Sequence, residues 1–273
     1  MRKGYSIRFS LVLVAVSLVG GLAAAQQPVL LTEDPRTLGD GNQSFGMGFE
    51  YLRKSSSDEG IRLIRLWKVA VLRTEFGLGD RVNVQLYWRG GLFAKTQQGI
   101  TASDFGDLFI ATKIHISKEG KALPAFGVKY AVKLPMTGDE DGLGSDNTDF
   151  FGSLLFFKKI GILAGRLNLG IGILGHPRAQ NAQDDIYTYG AAILVPIKQV
   201  ASLYAEASGF FGPFEDDDKL VGRLGLQVRR FHLKWTAFGS FKLSGTARDF
   251  GTAFELSERW GVGIFVSKDV RLW

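Results

Sequence analysis

The sequence predicts an all-β protein, an antiparallel up-and-down barrel of about twelve strands that crosses a membrane. Three observations carry this. Apolar and polar residues alternate with a period of two in segment after segment, the pattern of strands with unlike faces. The connections between those segments are alternately short and long. After the first 25 residues, no apolar run is long enough for a membrane helix and no long stretch has helical periodicity.

Composition narrows the field before any segment is read. The chain has 273 residues, with 35 glycines but no Gly-x-y period, only seven prolines, 22% charged residues and 21 phenylalanines. Collagen-like and disordered chains are excluded, and one folded unit is expected. With no cysteine there is no disulfide framework, thiolate zinc site, iron–sulfur cluster or cysteine nucleophile. At the N-terminus Arg2, Lys3 and Arg8 precede an uncharged run that ends in Ala23-Ala24-Ala25, the three-part layout of a secretory signal peptide. Residues 1–25 are therefore read as a cleaved signal, 26–44 as a short periplasmic lead and 45–273 as the barrel. Cleavage removes three cations and leaves 30 lysines and arginines against 27 acids, a net charge of +3.

The strands follow in order. The first two are read at 45–53 and 61–76. In 81–89, Val82, Val84, Leu86 and Trp88 oppose Asn83, Gln85, Tyr87 and Arg89. In 108–117, Leu108, Ile110, Thr112, Ile114 and Ile116 oppose Lys113 and His115. Phe126, Val128, Tyr130 and Val132 oppose Gly127, Lys129, Ala131 and Lys133 in 124–134, and 149–157 follows. Leu167, Leu169, Ile171 and Ile173 oppose Arg166, Asn168, Gly170 and Gly172 in 163–173. The remaining strands are 187–195, 201–211, 220–229, 231–241 and 259–272. Short connections fall at 77–80, 118–120, 158–161, 196–199 and around Arg229-Arg230; long polar ones fall at 54–60, 95–103, 136–148, 175–185, 213–219 and 244–258. Short turns at one end and long loops at the other describe a bacterial outer-membrane barrel, turns in the periplasm and loops outside. A soluble sandwich would have strands of about five or six residues and no such asymmetry.

Several stretches resemble the bacterial outer-membrane family of meta-pathway phenol degradation proteins, also described simply as transporters. They are Thr32-Glu33-Asp34-Pro35-Arg36-Thr37, residues 73–82 (RTEFGLGDRV), Asp104-Phe105-Gly106-Asp107 leading to Lys113, Leu134-Pro135-Met136-Thr137-Gly138-Asp139 with 142–145 following, and Tyr189-Gly190 through Glu206-Ala207. The resemblance implies an outer-membrane barrel linked to uptake of aromatic or other small hydrophobic compounds, and it brings no catalytic residues. Outer-membrane barrels also end in an aromatic residue that the assembly machinery reads, the place held here by Trp273, although the apolar alternation before it is out of phase.

With the apolar face in lipid, the lumen receives Arg65, Arg73, Arg81, Arg89, Lys113, His115, Lys129, Lys133, Arg166, Arg223, Arg229 and Lys234, against mainly Glu75, Asp107 and Glu206. A basic lumen attracts and filters anions, so the expected function is diffusion of small anionic or aromatic solutes across the outer membrane. The competing arrangement is a bore filled by side chains, its basic and acidic residues cross-linked in pairs. The acidic runs 137–149 and 215–218 lack the spacing of a calcium-binding helix–loop–helix and are read as solvated loops. No cofactor, metal or nucleic-acid partner is expected. His115, His176 and His232 stand in no hydrolase context, and neither Gly-x-Ser-x-Gly nor His-Glu-x-x-His occurs, so the chain is not read as an enzyme. A hydrolase barrel and a closed structural barrel are the alternatives. Trp67, Trp88, Phe211, Trp235 and Trp260 are read as an interfacial aromatic belt.

Overall fold

Two-residue alternation is satisfied by a sheet whose faces meet unlike surroundings, and this chain forms one closed sheet. The computed structural model describes residues 31–53, 63–96, 99–138, 143–144, 146–175, 183–197, 200–212, 218–245 and 259–272. Its strands are β1 (Asn42–Arg53), β2 (Leu63–Leu78), β3 (Val82–Trp88), β4 (Gly91–Thr96), β5 (Thr101–Phe105), β6 (Leu108–Ser117), β7 (Ala125–Leu134), β8 (Asp149–Ile160), β9 (Leu163–Gly175), β10 (Gln183–Ile197), β11 (Ala201–Phe211), β12 (Lys219–Arg230), β13 (Leu233–Ser244) and β14 (Trp260–Arg271). All pairings are antiparallel, and β1 pairs with both β2 and β14, which closes the cylinder. Both β3 and β4 pair with β2, while β6 pairs with β3 and β5 with β4. Each of these two in-line pairs is one wall strand broken at a bend, so the wall has 12 strands.

Five tight connections and both ends of the wall share one rim, the turn end; the long connections share the other, the loop end. The β12–β13 turn is made by Phe231 and His232 with φ of 55° and 59°, a geometry that usually calls for Asn-Gly. Because neither residue is a glycine, the sequence places this short connection about two residues early, around Arg229-Arg230.

The residues read as a loop at 95–103 are largely strand, since β4 runs to Thr96 and β5 starts at Thr101. What obscured them is a bend across three neighbouring strands. Ala70 takes φ 57° and Gly90 φ 79°, while the Arg89 N–H donates to the Asp107 carbonyl (3.1 Å) and the Gly106 N–H to the Gly90 carbonyl (2.7 Å). Phe49 faces Val69 while Gly48 faces Val71, so Ala70 is an extra residue in β2. One extra residue exchanges the two faces of a strand beyond it. Above Ala70 the buried side chains are Leu66 and Lys68; below it Val71 is buried.

Burial runs opposite to that of a soluble protein. Lys68, Lys113 and Lys133 are 0% exposed, whereas Ile171 and Leu224 on the outer face are 51% and 55% exposed. A chain folded in water would hide the second set and show the first. The apolar face therefore meets lipid, and the charged face lines a lumen.

Candidate lumen site

The lumen is occupied by the chain's own N-terminal residues. The described part of the expected periplasmic lead, residues 31–41, does not stay outside the wall; it enters the lumen from the turn end, because its carboxylates find cations there. Gly41 donates to the Gly77 carbonyl (3.3 Å), and a Cβ on Gly77 would lie 1.9 Å from the Gly39 carbonyl oxygen. The Thr37 hydroxyl donates to the Asp80 carbonyl (2.7 Å), and the Leu38 N–H to Asn83 Oδ1 (3.2 Å). Arg36 lies 3.8 Å over the Phe157 ring and pairs with Asp34 (2.5 Å). Pro35, which holds the residue before it extended, sits where a Cβ on Gly127 would come within 2.9 Å.

Deeper in, the segment's charges meet the wall's. Asp34 pairs with Arg166 of β9 (3.4 Å). Glu33 pairs with Lys129 of β7 and, at 3.8 Å, with Lys113 of β6, and accepts from Gln85 of β3 (2.9 Å). With its amide nitrogen toward the Glu33 carbonyl (2.9 Å) and its oxygen toward the Glu33 N–H (2.7 Å), Asn168 clasps the backbone between them. The Thr32 N–H donates to Glu206 of β11, and the Thr32 hydroxyl fills the space beside Gly190, 2.4 Å from where a Cβ would stand. Leu31 ends against a buried cluster of Leu174, Ile186, Phe210 and Val221.

Burial drives the Glu33 carboxyl up, but the charges of Lys129 and Lys113 outweigh it and hold Glu33 down at about 2. Asp34 is likewise lifted by burial and carried below the usual carboxylate range by Arg36 and Arg166. A depressed carboxylate stabilises the seated segment above its ordinary value of 4.5, and that contribution disappears as pH falls from there toward about 2. Lowering the bath from pH 6 to pH 3 is accordingly expected to raise conductance through the barrel, and Glu33→Gln to flatten the rise. A response of equal size in the variant would show that Glu33 is not the group being titrated.

The other lumen cations are matched by the wall itself. Lys113 pairs with Glu75 (2.9 Å), Lys133 with Asp149 (2.6 Å), Arg89 with Asp107 (3.3 Å), Lys68 with Glu50 (3.2 Å) and Lys234 with Asp269 (3.0 Å). Arg73 stacks on Tyr87 (4.5 Å) and Arg223 on Phe238 (5.2 Å). Toward the loop end the lining turns apolar: Leu52, Leu66, Leu92, Ala94 and Ala102 pack around Leu143, which the β7–β8 connection lowers onto them.

The sequence-derived lumen residues thus divide. Arg73, Arg89, Lys113, Lys129, Lys133, Arg166, Glu206, Arg223 and Lys234 lie inside the cylinder. Arg65 does not: the extra residue at Ala70 turns it to the outer face, where it is exposed. Arg81 lies exposed in the β2–β3 turn, and Arg229 is exposed at the turn-end rim. His115 stands at the same mouth, its Nε2 2.9 Å from the Ser117 carbonyl, beside a cavity of about 380 Å³ lined by Arg36, Thr37, Asp80 and Lys118. His176 and residues 215–217 of the acidic run lie outside the described residues; Asp149, read as part of an acidic loop, is the partner of Lys133. Glu33, Asp34, Glu50 and Lys68 were missed. Glu50 keeps phase with Ser44, Gly46 and Gly48 and was legible; Lys68 was hidden by the parity change at Ala70.

Fold and lining together define a membrane β-barrel with a charged, internally occupied lumen. The same fold occurs in an outer membrane channel from Pseudomonas putida F1, with a TM-score of 0.61 at 12% identity over 87% of this chain and 98% of that one. It also occurs in the porin NanC, with a TM-score of 0.52 at 6% identity over 82% and 97%. No family model and no curated protein matches the sequence.

The seat of the segment can be tested directly because the chain has no cysteine. With Thr32→Cys as the single thiol, maleimide labelling is expected to be slow, and to become at least several-fold faster when Gly190→Val fills the space Thr32 occupies. Equal rates with and without Gly190→Val would place Thr32 elsewhere.

Proposed function

We propose that the protein is an outer-membrane channel for small solutes that join an apolar body to a carboxylate, aromatic acids among them. One observation carries this reading: Lys113, Lys129 and Arg166 already hold two carboxylates, those of Glu33 and Asp34, in the lumen. An anionic solute takes the same places once the segment withdraws. The apolar lining around Leu52, Leu66 and Leu92 toward the loop end suits the body of such a solute. The fold shared with outer-membrane channels supports the membrane placement, turns in the periplasm and loops outside, with Trp273 offered to the assembly machinery.

The basic lumen expected from sequence is revised in one respect. The wall cations are matched in this conformation, and part of the matching comes from the segment. Anion attraction is therefore a property of the lumen with the segment displaced. Single-channel recording of the refolded protein, in parallel with Glu33→Gln/Asp34→Asn, tests it. Anion-selective conductance that grows in the variant and is blocked by benzoate is the expected result, and cation selectivity would remove the role assigned to the lysines and arginines. A second reading is favoured by the full burial of Lys68, Lys113 and Lys133: a closed barrel acting through its loops. It requires that neither protein conduct.

A further inference from the structure

The outer surface carries a feature that solute passage does not use. In the register of the wall, Arg53 of β1 is directly opposite Arg65 of β2, and Arg65 is opposite Lys95 of β4. All three are exposed, and all three alternate with buried lumen residues (Leu52, Leu66 and Ala94), so they project from the outer face at the loop end. Exposed Arg259 adds a fourth cation at the same rim, its N–H donating to the Arg53 carbonyl (3.0 Å). Among the described residues, no carboxylate stands on the outer face of β1, β2, β4 or β14. Directly opposed like charges about 5 Å apart repel one another, and the row has no use in the wall itself.

Level with the row and one step below it toward the turn end, the same strands and β14 present aromatic rings. Tyr51 packs on Trp67 (5.5 Å between centroids) and on Trp260 (5.6 Å), and Phe93 lies opposite Trp67 in register. A band of rings marks the depth where acyl chains give way to headgroups. The cations therefore sit at headgroup level, in the leaflet facing the loops.

We propose that Arg53, Arg65 and Lys95 form a docking site for the phosphate groups of a phosphorylated glycolipid of that leaflet, whose acyl chains lie on Tyr51, Trp67, Phe93 and Trp260. Charge complementarity selects the occupant: three cations within two strand spacings match a headgroup carrying more than one phosphate, and arginine offers two parallel N–H donors to each. The inference rests on the membrane placement above but not on conductance.

The test is binding of diphosphorylated lipid A to the purified full-length protein in detergent, followed by native mass spectrometry. Arg53→Gln/Arg65→Gln/Lys95→Gln is expected to weaken binding roughly 100-fold, from about one factor of five per cation lost at the surface. Dephosphorylated lipid A is expected to bind both proteins weakly, and inorganic phosphate at millimolar concentration not to compete. Undiminished binding by the triple variant would overturn the site. So would an equal loss from Lys118→Gln/Lys121→Gln/Lys159→Gln at the turn end, or full competition by inorganic phosphate. The triple variant must keep the heat-dependent gel mobility of a folded barrel; a wild-type chain lacking that mobility would instead sink the membrane reading.

Discussion

Glu33→Gln combined with Asp34→Asn is expected to raise time-averaged conductance by roughly one to two orders of magnitude. The estimate starts from the pairs that the substitutions break. Arg166 is nearly wholly buried and loses the carboxylate of Asp34, and Lys129 loses that of Glu33, while Lys113 keeps Glu75. Breaking a buried pair by removing one partner costs about 3–5 kcal/mol. Even about 2–3 kcal/mol of that, expressed as a weaker hold on the segment, shifts the seated-to-withdrawn ratio by roughly 30- to 150-fold. The gain should be largest at neutral pH and should shrink near pH 3, where protonation of the withdrawn carboxylates already weakens the wild-type seat. Deleting residues 31–38 serves as the limiting case. A deletion variant that folds yet conducts no better than the wild type would mean that residues 31–38 are not what closes the lumen.

Glu50→Ala is expected to produce the largest loss of stability. Glu50 and Lys68 are 1% and 0% exposed, 3.2 Å apart, and Arg73 and Arg223 bear on the same carboxylate. Removing that carboxylate takes away the charge on which Lys68, Arg73 and Arg223 all bear, at a cost of about 3–5 kcal/mol. The temperature at which the folded gel form is lost should fall by about 10 °C. Glu50→Leu with Lys68→Met should recover much of this, because replacing both members of a buried pair with apolar residues of similar volume is close to neutral. If the double variant melts as low as Glu50→Ala, the carboxylate is doing something other than neutralising Lys68.

How far the sequence could be read depended on whether a residue's position follows from its neighbours in the chain. In β6, β7, β9, β12 and β13 one face meets lipid throughout, so alternation alone places Lys113, Lys129, Lys133, Arg166, Arg223 and Lys234 inside. Arg65 was lost because a single extra residue, Ala70, reverses the faces of β2, and nothing about an alanine signals a left-handed backbone. Strands β4 and β5 were lost at Gly90 and Gly106, where the bend breaks the alternation on which recognition rests. The segment from 31 to 38 has no period at all. Its position is determined by residues of β3 and of every strand from β6 to β12, far apart in the chain and brought together only by the folded wall. The one clue was local: two adjacent acids in front of a wall with more cations than acids.

Gly41 links two features that have been described separately. Its N–H bonds the Gly77 carbonyl at the point where the segment turns into the lumen, and its carbonyl accepts from Leu272 (2.7 Å), beyond the last residue of β14. Gly39 and Gly41 both take left-handed φ, 82° and 69°, so this is also where the backbone pivots. The joint of the segment and the seam of the cylinder thus share a residue. Every wall partner named for Glu33, Asp34 and Thr32 lies between β3 and β11, away from that seam. The fixed end of the segment is thereby tied to the closure of the wall, and its inner end to the far side of the sheet: a change at Gly41 would disturb the seam and the occupant of the lumen together.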